Sequence, residues 1–181
     1  MDRRKVIRYE LIMDAGNGAQ KAGDILVKAF ADIGNYVYIE PVIPAEISPP
    51  KRSPHSMSGV VMRIAEEEIY SIGSYSDFML VEHEILLKRR LADKEFEKGC
   101  TILLDMGDQK RAVDDYASII EEAKELGLNL IQFNICDNSK AIIKELNGNG
   151  KNMYYLGVLT KVFNLEVETV EALIRKTFKK L

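Results

Sequence analysis

The stretch LIMDAGNGAQKAGDIL, residues 11–26, sets Gly16 and Gly18 on either side of Asn17, between an apolar run and a helical pattern. A turn of this kind opens onto the start of a helix, whose free N–H groups and positive dipole end can hold an anion. Glycine also lets the backbone approach such a ligand closely. The dinucleotide pattern G-x-G-x-x-G is broken, because Lys21 occupies its last glycine position, and the phosphate-loop pattern G-x-x-x-x-G-K-[ST] is absent. Two readings therefore stand side by side, an anion cradle and a tight strand-to-helix turn.

A second concentration of chemistry is PAEISPPKRSPHSMSG, residues 44–59, which holds four of the five prolines together with Lys51, Arg52 and His55. Proline excludes regular helix and central strand here, so the segment is a stiffened loop. Its basic groups suit phosphates or a partner surface, and equally a solvated loop. His83 lies between Glu82 and Glu84 at an expected helix start. Neither histidine has a metal-ligand partner at i+3 or i+4, so no catalytic residue and no metal ligand is assigned. Glu40 reads as a solvated strand-end carboxylate, and Lys88, Arg89 and Arg90 as the exposed face of a helix. Asn152 reads as an N-cap, its side-chain oxygen accepting N–H groups of the first turn, with ligand contact as the alternative.

The whole chain sets limits on these groups. Its 181 residues, 46% hydrophobic and 29% charged, are expected to form one domain over residues 1–181. A net charge of −3 and a pI near 5.6 oppose a general affinity for nucleic acid or anionic membrane. Cys100 and Cys136 are too few and too far apart for a zinc or iron–sulfur ligand set and read as buried or half-buried thiols of a reducing cytoplasm. No stretch approaches the ~20 apolar residues of a membrane span. MDRRKVIRYE has no apolar core of a signal peptide. A cytoplasmic location is expected.

Periodicity predicts the positioning elements. Strands are expected at Val6–Met13, Tyr36–Val42, Asp77–Val81, Cys100–Leu104 and Asn129–Ile135. Helices are expected over Asn17–Ile33, His83–Leu91, residues 112–126 including Val113, Asn152–Phe163 and Val167–Lys179. Gly59–Ala65 and Glu68–Ile72 suggest an antiparallel hairpin. The class is α/β: a Rossmann-like, mainly parallel sheet flanked by helices, with an antiparallel hairpin and a helical C-terminal tail. Ligands of such sheets sit beyond the carboxyl ends of the strands, where the glycine turn lies.

In order, GNGAQKAGDILVKAF, VYIEPVIPAEISPPKRSPHSMSGVVMRIA and KNMYYLGVLTKVFNLEVETVEALIRKTFKKL resemble the gamma subunit of 2-oxoacid:ferredoxin oxidoreductases. That family includes pyruvate, 2-oxoisovalerate and 2-oxoglutarate oxidoreductases, and the same module occurs as the amino-terminal part of fused alpha subunits. The family's first turn reads G-x-G-G-Q-G-x-x-x-A-G, and Ala22–Gly23 aligns Gly16 and Gly18 with its glycines. Met13 and Ala15 stand where glycines are usual, and Asn17 replaces the glutamine. The second landmark, P-x-E-I/x-R-G-G in the family, continues here from Pro44, Glu46 and Ile47 into Ser48, Pro49 and Pro50. The asparagine–methionine pair at Asn152 matches the family.

The resemblance implies a gamma-type subunit, inactive by itself, of an enzyme that converts a 2-oxoacid and coenzyme A to acyl-coenzyme A and carbon dioxide while reducing ferredoxin. It implies no firmly bound cofactor on this chain. Thiamine diphosphate, Mg²⁺ and iron–sulfur clusters are expected on alpha and beta partner subunits, with a ferredoxin-like delta subunit as a further candidate. Coenzyme A is the candidate ligand of Gly16, Asn17, Gly18, Lys51, Arg52, His55 and Asn152. The alternatives are a stand-alone Rossmann-like protein binding nucleotide or coenzyme A, and a structural partner subunit without a ligand.

Overall fold

The computed structural model describes residues 6–106, 115–135, 145 and 150–178. A six-stranded sheet runs β2-β3-β1-β4-β5-β6. The strands are β1 (Val6–Asp14), β2 (Tyr36–Val42), β3 (Met57–Ala65), β4 (Ser76–Val81), β5 (Phe96–Asp105) and β6 (Asn129–Phe133). The described helices are α1 (Ala19–Asp32), α2 (Glu84–Asp93), α3 (Tyr116–Glu125), α4 (Lys151–Val162) and α5 (Val167–Thr177), with a short 3₁₀ turn at Pro54–Ser56.

Strands β1, β4, β5 and β6 run parallel to one another, whereas β3 pairs antiparallel with both β1 and β2. The expected α/β class is therefore the observed one. Its antiparallel hairpin is β2–β3, closed by the proline-rich loop. The expected second arm at Glu68–Ile72 carries no strand. Val60, Val61, Met62 and Ile64 are apolar on both faces of β3 and suit an interior strand. The three glutamates Glu66–Glu68 instead begin a loop that folds back on Arg63, whose guanidinium donates to the Ser71 carbonyl (3.0 Å) and hydroxyl (3.1 Å).

Alternation along the strands divides the core in two. Tyr9, Leu11 and Met13 of β1 join Phe78, Leu80 and Leu103 beneath α1, α4 and α5. Ile12, Met79, Val81, Ile102 and Leu104 point the other way, beneath α2 and α3. Cys100 lies in this second core, where burial pushes its thiol up to about 12. It is thus an inert hydrophobe at neutral pH. Cys136, Val113 and Lys179 fall outside the described residues.

The charge run on α2 is split by the packing. Lys88 and Arg89 are exposed, but Arg90, expected on the outer face, is buried. Its guanidinium donates to Glu10 Oε1 at 2.8 Å and to Glu95 Oε2 at 3.1 Å. Arg8 reaches the same Glu10 oxygen at 3.2 Å and Ser76 Oγ at 2.6 Å. Two guanidinium groups thus pair with a carboxylate that has no solvent exposure, offsetting the cost of burying it inside the sheet.

Candidate functional site

Parallel strands deliver their carboxyl ends to one edge, and three of them end in a buried carboxylate: Asp14 on β1, Glu82 just after β4 and Asp105 on β5. Register sets them nearly level, since Ile12 lies opposite Val81 and Val81 opposite Leu104. Carboxylates this deep must be met by donors. The donors come from the turn, the proline-rich loop and the start of α4.

Lys151, the first residue of α4, places Nζ 2.8 Å from Glu82 Oε1 and 3.2 Å from Asp105 Oδ2. Burial works against its charge, but Glu82 and Asp105 outweigh burial and raise its pKa above the ordinary lysine value. Tyr155, one helical turn along, donates its hydroxyl to Asp105 Oδ2 at 2.8 Å. The Ile135 N–H donates to the other oxygen at 3.1 Å. Glu82 also accepts the Asp14 N–H at 2.7 Å and the Asn17 side-chain amide at 2.8 and 3.0 Å. The middle residue of the glycine turn is in this way clasped to β4, and through Lys151 to α4.

Asn152 completes the clasp. Its side-chain amide donates to the Gly18 carbonyl at 3.1 Å. The expected N-cap role is not the observed one: Gly150, at φ 95°, occupies that position, and Asn152 is already inside the helix. A left-handed glycine turns the chain into α4 without a side-chain cap, which frees the asparagine to reach α1.

Gly16 and Gly18 both adopt positive φ, 85° and 82°. A Cβ on Gly18 would lie 2.4 Å from Asn152 Nδ2, whereas a Cβ on Gly16 would meet open space. The turn is open at Gly16 and closed at Gly18. Helix α1 begins after Gly18, which has no side chain to cap it, and among the described residues no side-chain cap hydrogen bond is made at this position.

The proline-rich loop is pinned to the same edge by Asp14. The Arg52 N–H donates to Asp14 Oδ2 at 3.0 Å, and Ser56 Oγ donates to Oδ1. His83 Nε2 lies 3.0 Å from that Oδ1, while the Ala15 N–H donates to the Ser56 carbonyl at 2.7 Å. Arg52 holds a left-handed φ of 54°, a strain of about 1–2 kcal/mol for a non-glycine residue that these contacts must offset. Its guanidinium contacts Glu84 Oε1 at 2.5 Å. Lys51 and His55 are exposed, with His55 Nδ1 3.5 Å from Glu46 Oε1. Gly16, Asn17, Gly18 and Asn152 therefore converge, Arg52 joins them through Asp14, and Lys51 and His55 lie outward on the loop.

His83 is buried as the N-cap residue of α2, and its Nδ1 has no hydrogen-bond partner among the described residues. Glu40 is exposed. Burial alone would raise the Asp14 carboxyl, but hydrogen bonds from His83 and Ser56, the His83 charge and the Arg52 N–H hold it below the ordinary carboxylate value. A carboxyl depressed in the folded state stabilises fully above its unfolded pKa of ~3.9, and that stabilisation is lost as pH falls through the folded value. The expected result is that Asp14→Asn lowers the urea midpoint at pH 7 and flattens its decline between pH 4 and pH 2 relative to the parent.

Asp14, Ser56, Glu82, Asp105, Lys151 and Tyr155 were not singled out from the sequence. A signal existed for three of them: LIMD, LVE and ILLD each end an apolar strand in a carboxylate. Among the described residues no group of three or more His, Cys, Asp or Glu side chains is arranged to hold a metal ion, and no helix is long and apolar enough to cross a membrane.

Comparison with known proteins agrees with this architecture. The chain is 26% identical over 183 aligned positions to the 2-oxoglutarate oxidoreductase subunit KorA of Mycobacterium tuberculosis, covering 91% of this chain and 26% of that protein. It thus spans about a quarter of its curated relative. The fold matches pyruvate oxidoreductase subunit PORC of Thermotoga maritima with a TM-score of 0.64 at 21% identity, over 97% of this chain and 86% of that one. It matches 2-oxoglutarate:ferredoxin oxidoreductase of Magnetococcus marinus, solved with 2-oxoglutarate, coenzyme A and succinyl-CoA bound, with a TM-score of 0.70 at 22% identity. That match covers 98% of this chain and 28% of the other. The gamma subunit of the keto/oxoacid ferredoxin oxidoreductase of Geobacter sulfurreducens gives 0.63 at 14% identity, over 96% and 85% of the two chains. The family model for pyruvate ferredoxin/flavodoxin oxidoreductase matches residues 14–181, from the carboxylate that ends β1 through the C-terminal helices, and the chain belongs to that family.

Proposed function

We propose that the chain is the gamma-type part, as a separate subunit or within a fused alpha chain, of a thiamine diphosphate-dependent 2-oxoacid:ferredoxin oxidoreductase. The holoenzyme converts a 2-oxoacid, coenzyme A and oxidised ferredoxin to acyl-coenzyme A, carbon dioxide and reduced ferredoxin. Residues 1–181 act as one domain that serves assembly and receives coenzyme A. Thiamine diphosphate, Mg²⁺ and iron–sulfur clusters belong to alpha and beta partners, with a ferredoxin-like delta subunit as electron carrier. The observation that carries this reading is the family match over residues 14–181.

For the coenzyme A role, the supporting feature is the uncapped start of α1 behind an open Gly16. Amides at a helix start suit a phosphate, with Asn17 and Asn152 fixing the turn and Lys51, Arg52 and His55 supplying a basic rim. A ligand-free structural subunit is favoured by a different observation, the engagement of the Arg52 guanidinium by Glu84.

The two glycines separate these readings, measured as coenzyme A affinity of the assembled complex by equilibrium dialysis. Gly16→Ala adds chiefly backbone strain, about 1–2 kcal/mol, and is expected to weaken binding up to tenfold. Gly18→Val adds a collision with Asn152 to the same strain and is expected to weaken it more than tenfold. Unchanged affinity in a folded Gly18→Val complex would overturn the assignment of the turn.

A further inference from the structure

We propose that Asp14 is a positioning residue that couples the glycine turn to the proline-rich loop, so that ligand at the turn orders the loop as well. The inference rests on the reading of the turn as a coenzyme A site. Its basis is the division of labour within one residue. The main chain of Asp14 belongs to the turn: its N–H donates to Glu82 at 2.7 Å, and its carbonyl accepts the Asn17 N–H at 3.1 Å. Its side chain reaches the loop, with Oδ2 accepting from the Arg52 N–H and Oδ1 from the Ser56 hydroxyl, while Oδ1 also lies 3.0 Å from His83 Nε2 at the start of α2. The next residue repeats the bridge, since the Ala15 N–H donates to the Ser56 carbonyl.

Such a residue cannot reorient its backbone without redirecting its carboxylate. A phosphate that fixes the peptide planes of residues 15–18 therefore selects one direction for the Asp14 side chain, and with it the bonds to Arg52 and Ser56. The loop has reason to respond, because Arg52 sits in the left-handed region and depends on external bonds to stay there. Beyond this anchor the segment carries Ile47, fully exposed, and the exposed Lys51 and His55. Holding Arg52 and Ser56 fixes where these groups stand relative to the turn. Coupling of this kind is a free energy shared between two places, and it acts reciprocally: displacing the loop loosens the turn.

Backbone hydrogen exchange in the assembled complex, with and without coenzyme A, tests the inference. The expected result is at least tenfold slower exchange on adding coenzyme A, both at residues 15–20 and at residues 51–57. In Asp14→Asn the protection at 15–20 persists while that at 51–57 falls at least fivefold, and Ser56→Ala, which removes one bond from the loop side, gives the same pattern in weaker form. Protection confined to 15–20 in the parent complex overturns the coupling and leaves the ligand site standing, as does full loop protection in both variants. Absence of protection at 15–20 overturns the ligand site and the coupling together. The parent and Ser56→Ala results decide the matter even where Asp14→Asn does not assemble.

Discussion

Lys151→Met is expected to destabilise the fold by about 3–5 kcal/mol, the range for removing one partner of a buried ion pair. Methionine conserves most of the stem but leaves Glu82 and Asp105, with side-chain exposures of 6% and 0%, without the ammonium that now bridges them. Like-charged carboxylates in a dry edge can be relieved only by taking up a proton or by local opening. The turn should loosen with them, because Glu82 also holds Asn17 and the Asp14 N–H. Adding Glu82→Gln to Lys151→Met removes one orphaned charge while keeping an acceptor, so the double variant should recover part of the loss. Urea midpoints of the four combinations measure both effects. A loss below about 1 kcal/mol, the scale of an exposed pair, would mean that water already solvates this edge.

Gly59→Ala should cost about 3 kcal/mol, at the upper end for overpacking a core. Gly59 lies in β3 between Ile12 of β1 and Val42 of β2. A Cβ there would stand 2.2 Å from the Leu11 carbonyl oxygen and 3.0 Å from Ile12 Cδ1. The first neighbour is backbone in a paired strand, so relief requires the β1–β3 pairing itself to shift. Gly34→Ala is the control: its positive φ of 89° is strained but faces open space, and its expected cost is the conformational one, about 1–2 kcal/mol. Equal costs at the two positions would show that the close approach at Gly59 is absorbed without effect.

Local pattern made much of this architecture readable, because β1 is a continuous apolar run buried on both faces, β2 alternates in exposure and α1 buries one helical face. The strand expected at Tyr36–Val42 matches β2 to the residue, and the glycine turn stands at the strand edge expected for it. The failures share a physical origin in partners distant along the chain. Arg90 looks like its exposed neighbours on α2 until Glu10, 80 residues earlier, is brought beneath it. Lys151 meets Glu82 across 69 residues, and Asn152 meets Gly18 across 134. The carboxylates ending β1, β4 and β5 were visible as the first polar residue after each apolar run, but an ordinary strand end looks the same. What distinguishes them is burial, which follows from packing and not from spacing. Asn152 also shows how an expectation based on propensity gives way, since a left-handed Gly150 already turns the chain into the helix.

The most direct measurement is to purify the tagged chain from its native host without oxygen and to assay what comes with it for ferredoxin reduction against a panel of 2-oxoacids, with and without coenzyme A. The expected result is a complex with thiamine diphosphate and iron–sulfur absorption on the companion polypeptides, reducing ferredoxin only when one 2-oxoacid and coenzyme A are both supplied. A chain that emerges at low salt without companions, colourless and without activity toward any 2-oxoacid, would contradict the proposed subunit role.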